Sequence, residues 1–461
     1  MTEARTAGTT VQAAERLDRM PATRWLTLIM AILFLGWLVE SYDIGLTGSV
    51  LPSLVGVYHL GTGMKSLVSI SSSAGVVIGI VPAGWLADRL GRKNVMIGGT
   101  IAYSVLTFAT GFSPGIATVI TLRVLAGIAM GAVFPLPYAY GSELCPPGIR
   151  GRFTGIADTF LSVGYFLSPL LALILIPSDT NTTGWRVMFF LGGIPVIFAF
   201  LAWKFVPESP RWSESKGRLD DAEQVLRNIE KQVEAQLGRP LPPPPPRPPA
   251  ATTASSQGGS IRDIFRPPYL RRSVTLWVTF GGLFFVFYSI QTFMPTVVSK
   301  MGFTLTSAFA FTAIIVLVSI PGKLAEAWVV ERWGRRPVII AFGVIAAIAA
   351  IVFGFSRGAA MVLIVGCVMS FFGIGVDPAV KVYTAESYPT SIRATGTSVT
   401  EGIGRLFSGV IGPALIPLLL DAAGVGVVFL LVGVVALIAV VTMVFFGEET
   451  KGQALEAIAA D

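Results

Sequence analysis

Gly84-Trp-Leu-Ala-Asp88-Arg89-Leu-Gly91-Arg92-Lys93 closes one long apolar stretch, and Ala327-Trp-Val-Val-Glu331-Arg332-Trp-Gly334-Arg335-Arg336 closes another. The acids of the two segments are 243 residues apart, and the same offset separates Glu143 from Glu386 and Arg150 from Arg393. One constant offset for three features marks an internal duplication, so the chain reads as two related halves.

The surroundings of the repeat set the solvent. Of 461 residues, 53% are hydrophobic and 13% charged, and the mean hydropathy is +0.71. A soluble domain carries about 25% charged residues, so this composition excludes a soluble globular protein, a disordered chain and a secreted disulfide scaffold. Cys145 and Cys367 sit in separate apolar stretches and His59 is the one histidine, which leaves no disulfide framework, metal cluster or histidine relay. Twelve stretches suffice for the roughly 20 residues that a bilayer-spanning helix needs: 25–51, 64–86, 95–113, 116–141, 154–176, 185–206, 272–297, 306–330, 336–356, 359–386, 394–419 and 424–446. They are too long, and too little alternating, for barrel strands. The first is no cleaved signal, being long and carrying Glu40 and Asp43.

With the N-terminus in the cytoplasm, the outer loops hold only Lys65, Arg186, Lys300 and Arg357. Arg123, Lys323, Lys381 and Arg405 lie within spans, and the other 26 of the 34 cations fall inside. Cations favour the cytoplasmic side, so both termini are expected there. The +7 net charge thus reports topology and gives no reason to expect a nucleic-acid partner. The organisation expected is a tail 1–24, a six-helix bundle 25–206, a cytoplasmic linker 207–271, a second bundle 272–446 and a tail 447–461. Within the linker, Asp220 to Leu237 reads as an amphipathic helix, Pro240 to Pro249 as polyproline II and Ala250 to Ser260 as a flexible spacer.

The twofold acid-Arg-x-Gly-Arg-basic loop resembles the major facilitator superfamily of secondary transporters, and Pro207-Glu-Ser-Pro-Arg211 resembles its sugar-porter and organic-ion branches. The resemblance implies an all-α membrane fold, two six-helix bundles flanking a central cavity. Gly84, Gly91 and Gly334 let helix ends turn or approach. Asp88 and Glu331 are expected to cap helices or pair with arginine, with Arg89, Arg92, Arg332 and Arg335 beside them. Glu143–Arg150 and Glu386–Arg393 would complete a latch that parts when the halves rock. The alternative is that these charges only fix topology.

Charges inside a bilayer usually face a cavity and have partners. Glu40 and Asp43 share a face of span 1. Asp43 lies about 12 Å from the outer end of its helix and Arg123 about 10.5 Å from the outer end of span 4, at 1.5 Å per residue, so the two can meet. Tyr42-Asp43 and Arg123-Val-Leu-Ala-Gly127 look like the proton-coupled sugar porters, which implies proton coupling by Asp43 and Arg123. Gly36 to Asp43 looks like the bacterial niacin and aromatic-acid proton symporters, with Glu40 as a second acid. A static structural pair is the bland alternative.

In the second half, Lys323–Glu326, Asp377–Lys381 and Glu401–Arg405 are spaced so that each cation can be neutralised on its own helix. Arg405 lies about 16 Å deep, and Tyr388 to Gly396 followed by Gly404-Arg405 resembles the niacin, aromatic-acid and organic-anion transporters. Ile320-Pro-Gly-Lys323-Leu resembles the organic-anion branch. A guanidinium fork matches a carboxylate. Arg405, Lys323 and Lys381 are therefore candidate substrate contacts, with Gln291, Tyr288 and Tyr42 adding hydrogen bonds or stacking alongside Trp37 and Tyr138. The expected activity is proton symport of a small organic acid, aromatic or doubly charged, by alternating access in the bacterial inner membrane. The protein is expected to be a monomer in lipid without cofactor, metal or enzymatic activity; no P-loop is present. A sugar or polyol symporter is the alternative, with a cation exporter or a non-transporting sensor behind it.

Overall fold

A chain in hydrocarbon must satisfy its backbone within each segment, and long helices do so. The computed structural model describes residues 11–176, 183–244, 261–267, 269–388 and 392–451, which form helices and turns with no strand. Ten stretches are long and apolar enough to cross a membrane. Two differences separate that figure from the twelve expected. Arg92–Thr110 is helical but is not among the ten, because it opens on Arg92, Lys93 and Asn94 and carries buried Thr100, Ser104, Thr107 and Thr110. The last two expected spans form one 52-residue stretch, Thr395–Phe446, which bends at Gly424, where φ is 79°. Several spans are broken within the apolar run: Leu305–Leu317 is followed by Ser319–Trp333, and Ala359–Gly373 by Asp377–Glu386.

Close crossings fix the polar side chains. Spans 2 and 4 meet backbone to backbone: a Cβ on Gly75 would lie 2.2 Å from the Val124 carbonyl oxygen, and one on Gly127 2.2 Å from that of Ser72. Small residues permit this approach, which sets Arg123 against span 2. In the second half a Cβ on Gly322 would lie 2.3 Å from the Phe371 carbonyl oxygen, and this brings Lys323 of span 8 beside Asp377 of span 10.

Helices before the linker pack mostly on one another, as do those after it, and a seam runs between. At the face away from the termini the seam is closed by charge. Asp421, just before the Gly424 bend, accepts from Lys65 Nζ at 2.8 Å, Thr62 Oγ1 at 2.8 Å and Lys300 Nζ at 3.3 Å. Ser66 donates to the Ala414 carbonyl at 2.8 Å.

The linker opens with a short helix, Pro210–Ser215, and Leu219–Leu237 is helical; the second half of the proline run and the whole spacer up to Ser260 lie outside the described residues. The N-terminal tail is described from residue 11 on, and that part is bound to the linker. Its helix Ala13–Asp18 is held by Arg16 to Glu223 and Glu230, and by Arg19 to Glu230. Burial pushes the Glu230 carboxyl up, but the hydrogen bonds from Arg16 and Arg19 outweigh it and hold Glu230 below the usual carboxylate range.

Candidate functional site

Three clusters of charge lie inside the molecule, one within the first half and two at the seam, and a further set lines the linker-side rim. The first is fully buried. Arg123 donates from Nη1 to both Asp43 carboxylate oxygens, at 2.9 and 3.1 Å, and from Nη2 to Thr47, Ser72 and the Asp43 carbonyl. Thr107 donates to the same carboxylate at 3.1 Å. The expected pair thus forms, supported by neutral groups from three neighbouring helical turns. One turn earlier, Glu40 is 2% exposed and its Oε1 has no hydrogen-bond partner among the described residues. Arg405, from the opposite half, is close enough to act on it electrostatically.

The second cluster is Arg405 itself, 5% exposed. Its guanidinium lies 4.1 Å from the ring centre of Phe134, across the seam, and donates from Nη1 to Tyr288 at 3.4 Å. Its own-helix neighbour Glu401 is a loose partner at 3.8 Å, and Nε is without a hydrogen bond among the described residues. A π-helical turn, Leu406–Ile411, follows directly; such widened turns recur at functional sites. Gln291 is buried with its amide nitrogen unbonded among the described residues and faces Gly45 of span 1. Tyr42 does not join this group: its hydroxyl donates to the Met188 carbonyl at 2.9 Å, inside the first half. Trp37 stacks in an aromatic cluster with Phe34 and Phe153. The Tyr138 side chain lies outside the described residues.

The third cluster corrects the expected local pairing. Lys323 turns away from Glu326 and reaches Asp377 at 3.2 Å and the Asp158 carbonyl at 3.3 Å. Lys381 bonds Asp377 at 3.0 Å, as its spacing suggested, and also Asp158 Oδ1 at 3.3 Å. Asp158 of span 5 thus bridges the halves, a role its isolated place in the sequence gave no signal for. On the linker side of this bridge opens a cavity of about 1120 Å³, lined among others by Phe134, Asp158, Glu326, Arg335, Lys381 and Glu401.

At the rim, the loop acids do not cap the helices. Glu208 and Glu449 do. The Glu208 carboxylate accepts from Lys93 N at 3.1 Å, and Glu449 accepts from Arg335 N and Arg336 N at 2.9 and 3.0 Å. Gly91 and Gly334 adopt φ of 95° and 96°, and a Cβ on either would strike the capping carboxylate. Gly84 has open space around it, so no close approach requires it. Arg92 pairs with Glu143, which also accepts from Ser209; Arg335 pairs with Glu386 at 3.1 Å, which accepts from Thr450. The two halves repeat the device. Asp88 is exposed and Trp212 bonds its carbonyl. Glu331 meets Arg335 at 3.6 Å. Arg89 and Arg332 stack on Trp85 and Trp328. Arg393 donates to the Tyr388 carbonyl, and the Arg150 side chain lies outside the described residues.

The Sugar (and other) transporter family matches residues 28–461. A niacin transporter, NiaP, of Acinetobacter baylyi is 30% identical over 96% of this chain and 98% of its own length, and a gallate transporter of Pseudomonas putida is 27% identical over 95% of each. The inward-open xylose transporter XylE from E. coli superposes with a TM-score of 0.74 at 21% identity, covering 94% of this chain and 99% of that one. Helices, duplicated rim and full-length matches agree: the chain belongs to the Sugar (and other) transporter family of the major facilitator superfamily, a multi-pass transporter of the bacterial inner membrane and not an enzyme.

Proposed function

We propose that this transporter moves a small organic carboxylate by alternating access, coupled to protons. The observation that carries the reading is Arg405: buried, loosely held at 3.8 Å by its own-helix acid, with Nε unbonded among the described residues and a ring of the opposite half across its face. A cargo carboxylate would supply the acceptor that this guanidinium lacks. The names of relatives that carry niacin, gallate and 4-hydroxybenzoate support an acid as cargo. So many charges at the seam, with Gln291 as the one buried amide among the candidates, disfavour the sugar alternative.

Proton coupling falls to Asp43. Its bond with Arg123 weakens when the carboxylate takes a proton, and the hydroxyls of Thr47 and Ser72 keep the arginine in place meanwhile. We read the chain as twelve spans, counting Arg92–Thr110 and dividing the last stretch at Gly424. With both termini in the cytoplasm, the closed Asp421 clasp faces outward and the large cavity inward. The test is uptake into proteoliposomes under an imposed pH gradient, with nicotinate, 4-hydroxybenzoate, mono- and dicarboxylates and xylose as probes. Accumulation of an acid and not of xylose is expected; accumulation of xylose alone would overturn the reading.

A further inference from the structure

Around Asp158, carboxylates outnumber ammonium groups among the described residues. Lys323 and Lys381 are matched by Asp158 and Asp377. Glu326 is a third carboxylate, 1% exposed, and both its oxygens lack a hydrogen-bond partner among the described residues. The charges acting on it are Asp158 of span 5, Asp377 of span 10, Lys323 of its own helix and Arg335 at the rim. Lys323 is already committed elsewhere. A bare buried carboxylate beside two others is strongly unfavourable, and taking up a proton relieves it. Glu326 also lines the linker-side cavity, so a proton can come and go from that face.

We propose that Glu326 is a second proton-binding site, and that its proton keeps the Asp158–Lys381–Asp377–Lys323 bridge closed across the seam. When Glu326 releases its proton into the cavity, the carboxylate left behind stands three residues from Lys323 on the same helical face. It draws Lys323 from Asp377 and from the Asp158 carbonyl. Asp377 is left to Lys381 alone, and its pull draws Lys381 from Asp158. The two contacts of Asp158 with Lys323 and Lys381 are thereby loosened, and the cavity extends toward Arg405. Proton release on one side thus opens the way for cargo on that side. The consequence for transport rests on the alternating-access reading above; the protonation does not.

Infrared spectroscopy of the full chain in membranes, without cargo or gradient, tests the protonation. At neutral pH a protonated-carboxyl stretch is expected that disappears in Glu326→Gln, shifts in Glu326→Asp and stays in Glu331→Gln. An unchanged spectrum in Glu326→Gln overturns the proposal, and the Asp variant shows that a loss is not misfolding. For the bridge, maleimide labelling of Thr159→Cys on the cavity wall, in a background with Cys145 and Cys367 replaced by serine, should rise with pH several-fold more than thiol ionisation alone raises it at an exposed reference cysteine. Glu326→Gln should remove that excess. Equal pH profiles with and without Glu326 would remove the link between proton and gate, whatever the transport assays give for Asp43.

Discussion

Replacing Arg405 by lysine keeps the charge and removes the fork, which separates a carboxylate clamp from a generic cation. A hydrogen bond to a charged group contributes about 1.5–3 kcal/mol, and an ammonium can match one carboxylate oxygen but not the parallel pair. The stack on Phe134, at 4.1 Å, adds about 0.5–2 kcal/mol. Lysine forfeits one bond to the cargo, about 1.5–3 kcal/mol or roughly ten- to a hundredfold in affinity, and the loss of the stack, present without cargo, falls on stability instead. Arg405→Ala removes all of it and leaves the cargo charge unpaired, so transport should vanish at normal expression. The assay is initial uptake of radiolabelled probe acid against concentration in proteoliposomes, with monodispersity checked by size exclusion. A wild-type KM and rate in Arg405→Lys would refute the clamp.

Further outcomes follow from the other clusters. Asp43→Asn should retain cargo exchange and lose accumulation driven by a pH gradient; because it unpairs a buried arginine, it should also cost about 3–5 kcal/mol of stability, read as a lower melting temperature. Asp421→Asn breaks both far-face ion pairs, about 0.5–2 kcal/mol for partly exposed partners; labelling of Thr296→Cys in the small far-face vestibule should then rise roughly two- to thirtyfold. Glu449→Ala uncaps span 9 and should destabilise the second half by about 1 kcal/mol. Tail docking should be pH-sensitive in one direction. Glu230 is lowered on docking, so its contribution is present above the free Glu value of about 4.3 and is lost as pH falls through the docked value. The protection of the Ala13–Asp18 amides against hydrogen exchange, taken relative to the intrinsic rate at each pH, should be high at neutral pH and fall in acid.

The family and the helical plan were legible because a duplication and a span-length apolar run are each written in one dimension. So was Asp43–Arg123, since two charges at equal depth in one half have few other partners. The pairing in the second half was not. Spacing along a helix predicts Lys323–Glu326, yet the crossing at Gly322 brings Asp377 closer, and which helix approaches is a property of packing. Asp158 was silent for the same reason: one acid near the end of a span says nothing of which cation faces it. The caps could have been found. Glu208-Ser209 and Glu449-Thr450 follow the last span of each half, a fourth repeated feature whose offset differs by two residues from the other three and so escapes a search for a constant one.

Glu449 belongs to the segment after the last helix, yet it fastens the start of a helix more than a hundred residues earlier in the chain, and Lys451 reaches the Arg332 carbonyl nearby. Anyone grafting a purification tag or fluorescent reporter should therefore attach it beyond Lys451. A fusion joined at Phe446 would remove the fastening and report on a loosened protein.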